Sequence, residues 1–177
     1  MPVFLFTIHA YRSWSEDHPK GFVQRDEGLQ KSNRRLAQWR MQHAKNSPAR
    51  VEGIAQEAIL GVVENIATER AVRLHGAAVT PTHFHVLVSF RSPACTCGVA
   101  KFCRPACPAR RFVETVIVRM KRKVGQTVAK LNGTCDRPWL SRGWDSTRVR
   151  DRPHFDYLLK TYFPKHVAEG GMVRRWE

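Results

Sequence analysis

Residues 80–90 read TPTHFHVLVSF. Thr80-Pro81-Thr82 is a turn, and the residues after it alternate as a half-buried strand does. Phe84, Val86, Val88 and Phe90 point one way, towards a core. His83 and His85 point the other way, because residues two apart on a strand share a face. The preceding stretch, AVRLHGAAV (71–79), is also β-rich, so 71–90 is a hairpin.

Working outward, VFLFTIHAY (3–11) opens the chain as a first strand. A polar loop with Pro and Gly follows, and residues 29–45 are polar and helical until Ser47-Pro48 breaks them. VEGIAQEAILGVVENIATER (51–70) places Ile54, Ala58, Ile59, Val62, Val63 and Ile66 at helical spacing. RRFVETVIVRMKRKVGQTVAKL (110–131) does the same with Phe112, Val113, Val116, Met120, Val124 and Val128. RPWLSRGWDSTRVR (137–150) holds another strand. DRPHFDYLLKTYF (151–163) is a final helix, with Asp151 as N-cap, Pro153 in the first turn and Pro164 as the stop. The order β, α, β, β, α, β plus a terminal helix is the ferredoxin-like split βαβ arrangement, an α+β fold. Both long helices cover one face of an antiparallel sheet and leave the other open. The 177 residues show no repeat and read as one domain, 1–177, with a Cys-rich insert at about 91–110.

Thirty Lys and Arg stand against 15 Asp and Glu, a formal charge of +15. Such an excess points to a polyanion, above all nucleic acid, bound through phosphate neutralisation and counterion release. The basic residues cluster. Arg119, Lys121, Arg122 and Lys123 lie on the second long helix. Arg148, Arg150 and Arg152 alternate just before the terminal helix, and Arg34, Arg35 and Arg40 form a third group. Trp14, Trp139 and Trp144 suit either stacking on unpaired bases or a place in the core. No apolar run reaches the roughly 20 residues of a membrane span. The N-terminus has neither the basic region nor the cleavage site of a signal peptide, so a cytoplasmic location is expected.

In that setting five cysteines read as thiols or metal ligands rather than disulfides. Cys95, Cys97, Cys103 and Cys107 fall within 13 residues as C-x-C-x5-C-x3-C, a pattern open to a small structural Zn²⁺ site or to a loop of inert thiols.

Two imidazoles about 7 Å apart on one strand face suit a shared cation. The terminal helix offers partners: His154, Tyr157, Lys160 and Thr161 line one α-helical face. A tyrosine beside a metal-held phosphate is a feasible nucleophile, and a covalent phosphotyrosine conserves the bond for rejoining.

These stretches resemble a known family. THFHVLVSF is similar to the His-hydrophobic-His strand of HUH endonucleases. RDRPHFDYLLKTYFPKH (150–166) resembles their single-tyrosine helix. FTIHAYRSWSEDHPKGFV (6–23) resembles the opening strand and loop of REP-associated tyrosine transposases. The resemblance spans nearly the whole chain in order. It implies a transposase-like enzyme that cuts and joins single-stranded DNA at hairpins. His83 and His85 would hold Mg²⁺ or Mn²⁺, and Tyr157 would form a 5′-phosphotyrosine. It allows a monomer or a dimer. The family's helix reads Tyr-x-x-x-Asn-Pro, whereas here Thr161 stands four past Tyr157 and the proline is Pro164. The third ligand is therefore His154 or Thr161, and Tyr162 is the alternative nucleophile. A domesticated protein that binds DNA or RNA hairpins without cutting is the competing reading. A zinc hydrolase built on the two histidines is a third.

Overall fold

The computed structural model describes residues 2–19, 21–24, 27–90, 107–134 and 137–176. In chain order the elements are β1 (Val3–His9), β2 (Phe22–Gln24), β3 (Gly28–Gln30), α1 (Arg34–Gln42), α2 (Ile54–Glu69), β4 (Arg73–Val79), β5 (His83–Ser89), α3 (Pro108–Leu131) and β6 (Asp145–Arg148). A last helical run follows: α4 (Arg152–Tyr157), a π turn (Leu158–Tyr162) and α5 (Phe163–Ala168). The strand β7 (Met172–Arg175) ends it.

The main sheet has the order β6-β1-β5-β4-β7, with every neighbouring pair antiparallel. Its first four strands reproduce the ferredoxin-like split βαβ topology that the element order predicts. β7 extends it past β4, and β2 pairs with β3 in a separate ribbon. The β1–β5 register runs from Val3↔Ser89 to His9↔His83, which sets His9 beside His83 and Thr7 beside His85.

Alternation on β1 and β5 sends Phe6, Ile8, Phe84, Val86 and Val88 to one face, where α2 and α3 bury them with Ile59, Val63, Met120, Val124 and Val128. On α2 the buried stripe is Ala55, Ile59, Leu60, Val63, Ile66 and Ala67, while Ile54 is exposed. The helix is turned slightly from the phase read in sequence, because Ala55 and Leu60 fit the sheet.

The other face is not open. Leu5, Ala78 and Leu87 are buried there beneath Leu158 and Phe163 of the last helical run. Gly76 on β4 makes this contact close. A Cβ there would lie 2.8 Å from Leu159 Cδ2 and 2.9 Å from Phe163 Cε2.

Pro164 does not end the helix. A proline lacks the N–H of the α ladder, and its ring presses on the carbonyl four residues earlier. The π turn just before it widens the backbone, with the Phe163 N–H bonding Leu158 O, five residues back. The chain therefore stays helical from Arg152 to Ala168. Asp151 caps this run as expected, its carboxylate accepting from the His154 N–H at 2.8 Å.

Candidate metal centre

His83 and His85 project from β5 under α5. His85 is buried and His83 partly so. Their ring centroids are 4.7 Å apart, closer than their strand positions alone would bring them. The third imidazole is His166 of α5, with its ring 5.3 Å from that of His83 and 4.8 Å from that of His85. One ring nitrogen from each of the three lies within 4.8 Å of the others.

Each Nδ1 is engaged from outside this cluster. Thr7 Oγ1 is 2.8 Å from His85 Nδ1. Thr80 and Thr82 hydroxyls stand 3.1 and 3.0 Å from His83 Nδ1. Glu169 Oε2 is 2.9 Å from His166 Nδ1. Such contacts fix ring orientation and tautomer, leaving Nε2 as the inward atom. His166 Nε2 is buried and has no hydrogen-bond partner.

Burial above all, with the neighbouring His166 and His9 adding to it, lowers the His83 pKa from 6.5 to about 4. Burial, then His83 and His166, take His85 down to about 2. Both rings are therefore neutral at physiological pH, the state in which imidazole ligates. Two neutral imidazoles and the partnerless buried nitrogen of a third ring fit a divalent transition-metal ion. Three protein ligands also leave coordination positions for a substrate.

Tyr162 stands beside the trio. Its hydroxyl is 3.1 Å from His85 Nε2. Burial raises its pKa above the ordinary 10.0, and Glu169 and Tyr157 add to the rise. Tyr157 is exposed, with its ring centroid 6.4 Å from that of Tyr162. On a regular α-helix residues five apart diverge by about 140°; the π turn brings these two together. His9 borders the site, its ring 5.8 Å from that of His83 and its Nε2 3.6 Å from Asp145 Oδ2.

The cluster does not include either expected third ligand. His154 sits at the start of α4, where its Nδ1 accepts from the Arg150 N–H at 3.3 Å. Thr161 is exposed. The π turn contains Thr161 and separates His154 from α5, so a face drawn at α-helical spacing does not persist through it. His166 went unnoticed although a signal was present. The spacing Tyr-x-x-x-ligand that the resemblance supplies fits Tyr162 with His166 as well as Tyr157 with Thr161.

Of the expected zinc ligands, Cys95, Cys97 and Cys103 lie outside the described residues, and Cys107 is buried immediately before α3. The basic residues have divided roles. Lys121 Nζ donates to the carbonyls of Ser141, Arg142 and Gly143 at 2.7, 3.0 and 2.7 Å, so it anchors the loop before β6. Arg119 pairs with Glu69 at 2.7 Å and Arg152 with Asp156 at 3.0 Å. Arg122, Lys123, Arg148 and Arg150 are exposed. Trp139 belongs to the core, Trp144 packs against it, and Trp14 is exposed. Among the described residues no helix is long and apolar enough to cross a membrane.

No protein-family model matches the chain, and no curated protein matches it. Among solved structures it is similar to that of a REP-associated tyrosine transposase bound to a REP hairpin. The two are 10% identical with a TM-score of 0.46, over 96% of this chain and 68% of the other.

Proposed function

We propose that this chain is a metal-dependent enzyme that cuts and rejoins single-stranded DNA beside hairpins, with Tyr162 as nucleophile. One observation carries the reading: a tyrosine hydroxyl 3.1 Å from a ring nitrogen of a convergent three-histidine cluster. The charge of +15 supports a polyanionic substrate, and the family resemblance of the histidine strand and tyrosine helix supports single-stranded DNA.

His83, His85 and His166 would hold a divalent cation, which supplies Lewis acidity at a phosphoryl oxygen. Thr7, Thr80, Thr82 and Glu169 keep the three rings turned inward. Tyr162 is protonated at rest, since burial raises its pKa. Its proton must leave as its oxygen bonds to phosphorus. The bond from phosphorus to the 3′ oxygen breaks, and that oxygen takes up a proton. The product is a 5′-phosphotyrosine and a free 3′-hydroxyl, and attack by another 3′-hydroxyl reverses the step. Covalent storage of the phosphodiester suits strand joining. Arg122, Lys123, Arg148 and Arg150 contact phosphates, and Arg119, Lys121 and Arg152 act mainly within the protein.

A second reading is favoured by the ligand set itself. Three histidines are also the donor set of hydrolytic zinc sites, in which a bound water attacks and no covalent enzyme intermediate forms.

The test is incubation of a hairpin-bearing single strand with Mn²⁺ or Mg²⁺. A covalent protein–DNA adduct is expected, absent in Tyr162→Phe and retained in Tyr157→Phe. Loss only in Tyr157→Phe transfers the nucleophile to that residue. Cleavage without an adduct supports the hydrolase, and tight hairpin binding with no cleavage supports a binding protein.

A further inference from the structure

The sheet face that carries the histidine trio has a second feature at its opposite end. A cavity of about 670 Å³ opens there between the β1 and β5 ends and the segment leading into α4. That volume lies within the range of small-molecule sites, about 300–1,000 Å³.

The cavity has two chemical halves. Its wall includes Val3, Val149 and Phe155. Its rim carries Arg148, Arg150 and Arg152 against one carboxylate, Asp151. That carboxylate is already engaged by the His154 N–H as a helix cap. Arg152 is held by Asp156 and lies over the Phe155 ring, 5.3 Å from its centroid. Arg148 and Arg150 are exposed and form no ion pair among the described residues. The floor is a polar pair, His75 Nε2 and Ser89 Oγ at 2.8 Å, with the Phe155 ring edge-on to His75 at 5.1 Å. An apolar wall, a hydrogen-bonding floor and two uncommitted guanidinium groups match the base and phosphate of a nucleotide.

Its position relative to the trio follows from the same two elements. Ser89 and His85 are four residues apart on one face of β5, about 13 Å. Phe155 and Tyr162 are seven residues apart on the helical run, about 10 Å. One strand can therefore reach both places.

We propose that this cavity is a second nucleotide subsite, which holds a nucleotide of the same single strand whose scissile phosphate lies at the trio. This rests on the proposed reading of the trio as a phosphoryl-transfer site.

The experiment uses full-length Tyr162→Phe protein in chelator, so that binding is read apart from chemistry. Two series of fluorescent oligonucleotides carry the hairpin and the cleavage site, and each is lengthened by one to three nucleotides, one series on the 5′ side of that site and the other on the 3′ side. One series should gain about tenfold in affinity on lengthening. In Arg148→Gln/Arg150→Gln that gain should vanish, and the slope of log affinity against log salt should shrink by about 1.4 for two lost phosphate contacts. Arg122→Gln/Lys123→Gln on α3 should keep the gain. Absence of a length gain in both series overturns the proposal. So does an equal loss for short and long strands in the Arg148/Arg150 variant, which marks a general charge effect. If unsubstituted protein with Mn²⁺ forms no adduct but the length gain and its loss are seen, the subsite stands and the strand-transfer reading falls.

Discussion

The two faces of the sheet are built differently. On the α2/α3 face, alternating side chains of β1 and β5 meet two long helices in one large apolar cluster. On the face beneath the last helical run, the buried apolar set is Leu5, Ala78, Leu87, Leu158 and Phe163, with Val3, Val149, Phe155, Leu159 and Val173 partly buried around it, and the three histidines and Tyr162 share that face. β5 contributes to both, Phe84 and Val86 to one and His83 and His85 to the other. The larger face stabilises the fold. The smaller one holds a helix just firmly enough to bring His166 and Tyr162 to two histidines on a rigid strand. The candidate site sits on the face with the smaller apolar cluster, as a set of polar ligand atoms requires, because an apolar core excludes them.

The sharpest way to break that contrast is a matched pair of truncations. Phe84→Ala should cost about 3–5 kcal/mol by emptying the larger core. Phe163→Ala should cost less in global denaturation, since the helical run can detach while the sheet remains. Hydrogen exchange then reads the difference: protection should fall across residues 158–168 and persist on β1 and β5. Loss of protection throughout the sheet in Phe163→Ala would make the two faces one cooperative unit.

Gly76→Ala probes the closeness of the smaller face. The added methyl meets the Leu159 and Phe163 side chains below 3.0 Å, so these side chains or the helix that carries them must shift. The expected cost is about 1–3 kcal/mol, typical of overpacking. Adduct formation should fall further than stability accounts for if the helix yields, because Tyr162 and His166 lie on the same helical run as Leu159 and Phe163. Equal adduct yields at equal folded fractions would show that the site tolerates the shift.

Glu169→Gln separates orientation from ligation. It keeps a polar group near His166 Nδ1 but removes the carboxylate. Mn²⁺ affinity by titration calorimetry should drop about 10–100-fold, the usual effect of losing such an outer contact. An unchanged affinity would show that the Glu169 carboxylate does not orient His166 for metal binding.

The last contrast is in pH. His83 has its pKa lowered from 6.5 to about 4, so the unfolded chain binds more protons than the folded one between those values. Stability of chelator-treated protein should therefore decline as pH falls from about 6.5 towards 4, and His85 extends the decline towards 2. His83→Gln should flatten the upper part of that window in thermal melts. A slope identical to that of the unsubstituted protein would mean that His83 is not held neutral.

Much of the fold is written in local pattern. The period-two alternation of 83–90 and of β1, the helical period of α2 and α3, and the Asp151 cap each follow from residues close together in sequence. The histidine pair is equally legible, since two residues on one strand share a face whatever surrounds them. The far side of the site is not. His154, Tyr157 and Thr161 share a face only on an uninterrupted α-helix, and the π turn at Leu158–Tyr162 interrupts it. Pro164 was visible as a break in the hydrogen-bond ladder, yet whether a helix stops there or widens depends on what it packs against. Here Leu158, Leu159 and Phe163 lie against β4 and β5 and keep the chain helical. Sequence alone thus determined the first four strands of the sheet, its two long helices and half of the candidate centre, but not the edge strand β7. Only the tertiary structure selected His166 and Tyr162, because the choice depends on helix phase, and long-range packing around Gly76 sets that phase.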